Sequence, residues 1–397
     1  MKTLTIIIGG YLMDFNLSND LKELKKTVEK FIRNKVDPRS LEIEENDEIP
    51  NDILKQSGEL GLFGLSIPEK YGGLGLNMVD KCAIYEELGK TSNGYTTVLG
   101  SHNAIGTVGI VELGSEKQKE EFLPKMATGE WIGSFALSEP SAGSHASNLK
   151  TTAERKGDKF ILNGSKHYIT NGEIANVFTV MAVTEPKLKS KGITSFIVEK
   201  DTPGLIIGKP EKKMGLHGAR SVELFFDNCE ISSDNVLGEE HKGYVNALKI
   251  LANGRTGLAA RNLGSCIKLL EYSLDYSMNR YQFNKPIFEQ QIIQHYLAEM
   301  ATEIETLKSF VYRVAWLTDE KNKNISKEAS MAKLYGSEVY NRIADLAVQI
   351  HGGVGYISEY PIERYYRDAR ITRIYEGTSE IQKNIIASEL KKEYYSK

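Results

Sequence analysis

Near the C-terminal end of the chain, Ile374-Tyr375-Glu376-Gly377-Thr378-Ser379-Glu380 sets a carboxylate between an aromatic ring and a glycine. Apolar surroundings disfavour the ionised form of a carboxylate and make it a stronger base. A glutamate in a tight loop, with an aromatic wall on one side and bare backbone on the other, therefore suits proton abstraction. The same heptapeptide also reads as a helix start, with Thr378 or Ser379 accepting a hydrogen bond from the first unpaired N–H groups.

Four further clusters combine polar side chains with glycine or proline in ways that suit a ligand. In Phe135-Ala136-Leu137-Ser138-Glu139-Pro140-Ser141-Ala142-Gly143-Ser144 a strand-like run breaks into a loop whose backbone N–H groups can meet a flat heterocycle or a phosphate. Tyr168-Ile169-Thr170-Asn171-Gly172 puts an aromatic and a hydroxyl two apart on one strand face ahead of a turn, and a hairpin with a core tyrosine would use the same residues. Arg280-Tyr281-Gln282-Phe283, with Gln291 beyond, offers a cation and a ring at a helix end, suited to a phosphate and a stacked ring or to a surface ion pair. Gln349-Ile350-His351-Gly352-Gly353 stops a helix on glycines, which cap it and also permit close backbone approach.

The elements that must position these clusters change character along the chain. From Leu17 to about Thr128 the pattern is helical, with Leu21, Leu24, Val28 and Phe31 on one stripe and further helices over 51–62, 77–89, 93–112 and 116–127. Between Trp131 and about Gly238 come β-branched runs parted by turn chemistry at Gly157-Asp158, Asn163-Gly164, Asn171-Gly172 and Pro203-Gly204. Phe178–Val183 and Ile193–Val198 read as buried strands. After Gly243 the helical period returns, and Ala332, Tyr335, Val339, Ile343, Leu346 and Ile350 form a narrow stripe for helix packing. The expected domains are 13–130 (helical), 131–238 (β) and 239–397 (helical), an α+β architecture. Residues 1–12 are expected to be a poorly ordered extension.

At 397 residues, 41% hydrophobic, 26% charged and a formal net charge of -3, the chain has the balance of a soluble multidomain enzyme. It lacks the charge excess of a nucleic-acid or membrane-surface binder. Cys82, Cys229 and Cys266 are far apart, which argues against a disulfide framework or a zinc site. No two of the seven histidines sit four apart, so no metal is expected. Gly73-Leu74-Gly75 and Gly353-Val354-Gly355 each lack the third glycine of a dinucleotide fingerprint, and no P-loop or GxSxG elbow is present.

The five clusters, in this order and within this α-β-α layout, resemble the acyl-CoA dehydrogenases, flavoproteins that form a trans-2,3 double bond in acyl-CoA thioesters. The likeness runs from Met13 to about Leu390. It implies an N-terminal helical domain, a middle β-barrel or sandwich and a C-terminal four-helix bundle, with FAD as cofactor. It also implies that Glu376 removes the pro-R α-proton while the β-hydride passes to flavin N5. The thioester carbonyl would be polarised by the Glu376 backbone N–H and a flavin ribityl hydroxyl. By the same likeness Phe135, Leu137, Ser138, Ser144, Tyr168 and Thr170 contact the flavin. Arg280, Phe283, Gln291, Gln349, Gly352, Gly353, Thr378 and Glu380 would hold the rest of FAD, partly across a subunit boundary. Ser144, Asn253, Arg255, Tyr375, Gly377 and Gly100 fall on the acyl-CoA side, with Arg255 a substrate-side cation. Isovaleryl-type members carry their base just before that arginine, where this chain has Gly254, so Glu376 has no rival there. Two positions depart from the pattern: His145 replaces an aspartate, and Asn284 replaces a glycine after Phe283.

The Leu99-Gly100-Ser101-His102-Asn103 run is similar to very-long-chain members, although their extra C-terminal domain is not expected here. Thr96 stands where glutaryl-type members place an arginine. The expectation is a cytoplasmic homotetramer, a dimer of dimers, that oxidises a straight-chain, medium-to-long acyl-CoA and passes electrons to electron-transfer flavoprotein. A flavin-dependent acyl-CoA oxidase and a non-catalytic respiratory-complex assembly partner are the alternatives, and the retained base and flavin motifs argue against the last.

Overall fold

Three hydroxyl caps decide where major helices begin. Ser18 accepts from the Leu21 N–H, Ser115 and Gln118 form a reciprocal capping box, and Thr378 accepts from the Ile381 N–H. A computed structural model describes residues 6–8, 11–13, 17–320 and 325–396. The short strands β1 (Ile6–Ile8) and β2 (Tyr11–Met13) pair antiparallel; the rest of the segment expected to be poorly ordered, 1–5 and 9–10, lies outside the described residues. Helices α1 (Asn19–Phe31), α2 (Ser40–Asn46), α3 (Asn51–Glu59), α4 (Met78–Leu88), α5 (Asn93–Ser101), α6 (Val108–Leu113) and α7 (Glu116–Thr128) come next. Strands β3 (Gly133–Ala136), β4 (Thr152–Lys156), β5 (Lys159–Thr170), β6 (Val177–Val183), β7 (Ile193–Glu199), β8 (Leu205–Ile207) and β9 (Ser221–Ser232) follow. The chain then returns to helix in α8 (Gly243–Asn279), passes through a hairpin of β10 (Tyr281–Gln282) and β11 (Lys285–Pro286), and ends in α9 (Gln291–Asp319), α10 (Ser326–His351), α11 (Ile362–Ile371) and α12 (Ser379–Tyr395). No helix among the described residues is long and apolar enough to cross a membrane.

The fold divides into two compact units, one of residues 1–41, 77–96 and 255–397, the other of residues 42–76 and 97–254. The first is helical. Within it α4 and the second half of α8 meet backbone to backbone: a Cβ on Gly264 would lie 2.0 Å from the Glu86 carbonyl oxygen, and one on Gly257 would lie 2.8 Å from the Tyr85 ring. Any larger residue at these two positions would push the helices apart. Helix α10 packs on α9, α11 and α12 together, so its buried face is wider than the narrow stripe expected. Ala329, Ala332, Lys333, Gly336, Val339, Tyr340, Ile343, Ala347 and Ile350 are buried, whereas Tyr335 and Leu346 are only half-buried.

The second unit is built on a seven-stranded sheet in the order β3-β6-β4-β5-β9-β8, with β7 on β6. Its core holds Phe160, Leu162, Phe178, Phe196, Val222 and Leu224. The single helix expected over 93–112 is interrupted by a π turn at His102–Gly106, because side chains there replace regular backbone pairing. Asn103 donates to the Leu62 and Leu99 carbonyls and accepts from the Leu65 N–H. The Gly133 N–H donates to His102 Nδ1, so the ring proton sits on Nε2, which lies 3.1 Å from both the Phe63 and Met126 carbonyls. His102 and Asn103 are thus committed to the scaffold.

Burial pushes the fully enclosed His102 down from 6.5 to about 4, outweighing the two carbonyls that favour its charged form. The folded protein therefore binds fewer protons than the unfolded chain between those values. His102 contributes stability above about pH 6.5 that is lost as pH falls toward about 4, on the order of 3 kcal/mol in all. A His102→Gln variant, which keeps one donor and one acceptor, should lose less thermal stability between pH 6.5 and pH 4 than the unsubstituted protein, as followed by the unfolding midpoint across that range.

Candidate active site

The loop between α11 and α12 takes two consecutive left-handed residues, Glu376 at φ 54° and Gly377 at φ 94°. For glutamate this conformation costs roughly 1–2 kcal/mol and needs outside support. Gln382, one turn into α12, supplies part of it: its Nε2 donates to the Glu376 carbonyl at 3.1 Å and the Gly377 carbonyl at 2.9 Å. The Ser379 N–H closes the loop onto the Arg373 carbonyl at 3.0 Å. Thr378 caps α12, so the heptapeptide is both a capped helix start and the holder of an unusual glutamate.

The Glu376 side chain is 10% exposed. One carboxylate oxygen lies 3.9 Å from Arg261 Nη2, and the other has no hydrogen-bond partner among the described residues. Burial raises its pKa above the ordinary carboxylate value, and the cations Arg261, Lys333 and Arg255 only partly offset this. Arg255 is itself buried, donating from Nη1 to Ser330 Oγ at 3.3 Å while its Nε is unpaired. Arg261 donates to the Thr96 carbonyl. Lys333 is fully buried and donates to the Gly377 carbonyl at 2.7 Å; burial pushes its ammonium down to about 8 despite the pull of Glu376. Tyr375, next in chain, has its phenol pushed up by burial. A carboxylate with one idle oxygen, a raised pKa and three nearby cations can take up a proton from a bound carbon acid and give it back.

At one end of the same unit the structure brings two other predicted clusters together. Tyr276, in the last turns of α8, stacks on His351 at the end of α10 with ring centroids 4.4 Å apart, and the Arg280 N–H donates to the Tyr276 carbonyl. The Arg280–Gln291 hairpin and the Gln349–Gly353 helix end are therefore neighbours. Phe283 and Asn284 form the two-residue turn of β10 and β11, both left-handed at φ 51° and 63°. Asparagine tolerates that conformation well, which accounts for Asn284 in place of the family's glycine. Phe283 is 85% exposed, Gln349 is exposed, and a Cβ on Gly352 or Gly353 would meet open space. No hydrogen bond or ion pair among the described residues links this end to Glu376. Glu380 is exposed in the first turn of α12, where hydrogen bonds from its own backbone N–H and from Thr378 lower its pKa.

In the second unit Phe135, Leu137, Ser138, Tyr168 and Thr170 lie side by side. Ser134 Oγ donates to the Thr170 carbonyl and the His167 N–H to the Ser138 carbonyl. The β5–β9 register shifts between Lys166 and Ile169, a bulge that holds Tyr168 at φ 60° and turns it outward, 65% exposed, with its ring stacked 3.9 Å from that of His167. Ile169 then points into the core and Thr170 is half-buried beside Ser221 Oγ. Ser144 is exposed at the end of the loop, Gly100 is buried in α5, and Asn253 is half-buried on α8.

Sequence reasoning missed Arg261, Lys333, Gln382 and the pair Glu139–Lys166. A lysine on the buried face of α10 and an amide in the first turn of α12 were readable signals; Arg261 and the Glu139–Lys166 pair depend on contacts between distant segments. Lys166 Nζ lies 2.7 Å from Glu139 and donates to the Leu137 carbonyl, and both side chains are at most 2% exposed. Burial alone would raise Glu139, but Lys166 and the Lys150 and Thr151 donors hold it below the ordinary value, while burial pushes Lys166 down to about 8. Lys166→Met, which strands Glu139 in the interior, should lower stability by about 3–5 kcal/mol. The double variant Lys166→Met, Glu139→Gln should recover most of the loss, measured by thermal or denaturant unfolding.

Comparison with known proteins shows the family. Descriptions of the acyl-CoA dehydrogenase N-terminal, middle and C-terminal domains match residues 18–130, 134–229 and 241–391. An acyl-CoA dehydrogenase of Bacillus subtilis (strain 168) is 43% identical over 367 residues, 92% of this chain and 97% of its own. The acryloyl-CoA reductase (NADH) of Anaerotignum propionicum is 41% identical over 382 residues, 96% of each chain. The solved structure of butyryl-CoA dehydrogenase from Megasphaera elsdenii superposes with a TM-score of 0.92 at 38% identity, covering 95% of this chain and 100% of that one. Over nearly its whole length, this chain belongs to the acyl-CoA dehydrogenase family.

Proposed function

We propose that this enzyme removes the α-proton and β-hydride of a straight-chain acyl-CoA, with Glu376 as the base. The observation that carries the reading is the buried Glu376 carboxylate with its idle oxygen and raised pKa, held in a strained loop. The α-proton of a thioester is weakly acidic, so the base must be strong in place and the developing oxygen charge must be met. Glu376 supplies the first, and its own backbone N–H is proposed for the second.

The chain's residues fit FAD as the oxidant. Tyr168, turned outward on its bulge with His167 stacked behind it, offers a flat open face beside the half-buried polar Ser138 and Thr170. Bound FAD would supply the acceptor for the β-hydride. Arg280 and the open Gly352-Gly353 turn suit the charged remainder of the molecule. The exposed aromatic residues Tyr281, Phe283 and Tyr356 support a homotetramer in which a second subunit covers this end, and electron-transfer flavoprotein is the proposed acceptor.

For chain length, the relative named for butyryl-CoA favours a short acyl group over the medium-to-long one expected from the Leu99–Asn103 run. A second reading is enoyl-CoA reduction, the same step reversed. The burial that strengthens Glu376 as a base also favours the protonated form that delivery to the α-carbon requires, and one relative is named as a reductase.

An anaerobic panel of acyl-CoAs from four to sixteen carbons, with flavin absorbance as readout, tests the proposal. Bleaching greatest with short chains and reversed by electron-transfer flavoprotein is the expected result. Rapid reoxidation by oxygen alone would favour an oxidase, and no bleaching with any member would overturn both the dehydrogenase and the reductase readings in favour of a non-catalytic assembly role. Glu376→Gln should keep the flavin but slow its reduction by about 10²–10⁴-fold.

A further inference from the structure

Lys333 is an unusual occupant of its place. It lies on the buried face of α10 between Ala329 and Gly336, has no exposed surface, and makes its one hydrogen bond among the described residues to the Gly377 carbonyl. That carbonyl also accepts from Gln382 Nε2, so two donors from two helices grip the peptide that follows Gly377. An ammonium is a costly way to hold a backbone carbonyl in the interior, where a neutral amide would serve. Its charge calls for a further role.

We infer that Lys333 is a positioning residue for Glu376, fixing the left-handed Glu376–Gly377 backbone through the Gly377 carbonyl and setting, through its charge, the pH at which the Glu376 carboxylate ionises. The inference rests on Glu376 being the base. The groups facing Glu376 are Tyr85 on α4, Arg255 and Arg261 on α8, and Tyr375 of its own loop, besides Lys333. Lys333 also feels Arg255, Glu338 on its own helix and Glu380 on α12, while Asp368 on α11 acts on Tyr375. Glu338 is engaged by Arg373 and Ser379, and Arg255 and Arg261 are bonded to Ser330 and to the Thr96 carbonyl. Lys333 differs from the two arginines in being able to lose its proton in the working pH range, since it is pushed down to about 8. Its ionisation and that of Glu376 are therefore reciprocal: each stabilises the charged form of the other.

Three variants separate the two roles. Lys333→Met removes donor and charge, Lys333→Gln keeps a donor, and Lys333→Arg keeps the charge. The acid limb of kcat/KM against pH should move upward by on the order of one unit in the Met and Gln variants and stay in place in the Arg variant. In addition, kcat should fall more in Met than in Gln. Unchanged acid limbs in both Met and Gln would overturn the inference and leave Lys333 a packing residue.

A readout independent of activity is the unfolding midpoint against pH. Because Lys333 is lowered from 10.5 to about 8, the cost of burying its charge is complete below about pH 8 and is relieved as pH rises toward 10.5. Glu376→Gln should shift that relief to lower pH, and the shift should vanish in a Lys333→Met background, or in Lys333→Gln if the Met variant does not fold. A shift that persists without Lys333 would sink the coupling. A shift that vanishes as expected while Glu376→Gln retains full activity would uphold the coupling and instead overturn Glu376 as the base.

Discussion

The structure around the candidate base depends on keeping one carboxylate away from water without neutralising it. Burial favours the protonated form of Glu376, and direct contact with an arginine would weaken it as a base. The chain settles between these limits by holding the cations at arm's length: Arg261 approaches only to 3.9 Å, Arg255 is turned to Ser330, and Lys333 is bound to a carbonyl one residue away. The close α4–α8 crossing at Gly257 and Gly264 sets the helix of Arg255 and Arg261 against Tyr85, the buried face of α10 carries Lys333, and the Thr378 cap fixes the start of α12.

The second unit uses the same device for a different end. Lys166, as deeply buried as Lys333, also donates to a backbone carbonyl, that of Leu137. Here, however, the lysine is paired directly with Glu139, and the pair, anchored by two backbone N–H groups, gives a fixed loop in place of a titrating group. Separation is what distinguishes them: a carboxylate at 2.7 Å stays ionised, while one without direct contact remains free to change its state.

Much of this could be read from the sequence because local rules carried it. The helical ends, the strands at 177–183 and 193–199 and the glutamate loop follow from periodicity, turn chemistry and side-chain type. What escaped was non-local. Arg261 matters because α8 brings it within 3.9 Å of a glutamate far along the chain. His102 bridges three segments through its ring, at Phe63, Met126 and Gly133, which no local pattern announces. Tyr335 and Leu346 fitted an ideal stripe, but a helix packed against three neighbours buries a broader face, and that depends on where the neighbours stand.

The bulge in β5 changes which residues of one strand face inward. Phe160, Leu162 and Lys166 point into the interior at even positions, and Ile169 does so at an odd one. Across the switch His167 and Tyr168 fall on the same side, which a regular strand forbids for adjacent residues. A single strand thus builds a two-layer aromatic platform without borrowing a ring from elsewhere. Its presence depends on the extra residue in the strand: exchanging the ring at 168 would retune the platform, whereas deleting His167 or Tyr168 would leave a single ring on a regular strand with Lys166 and Ile169 still facing inward.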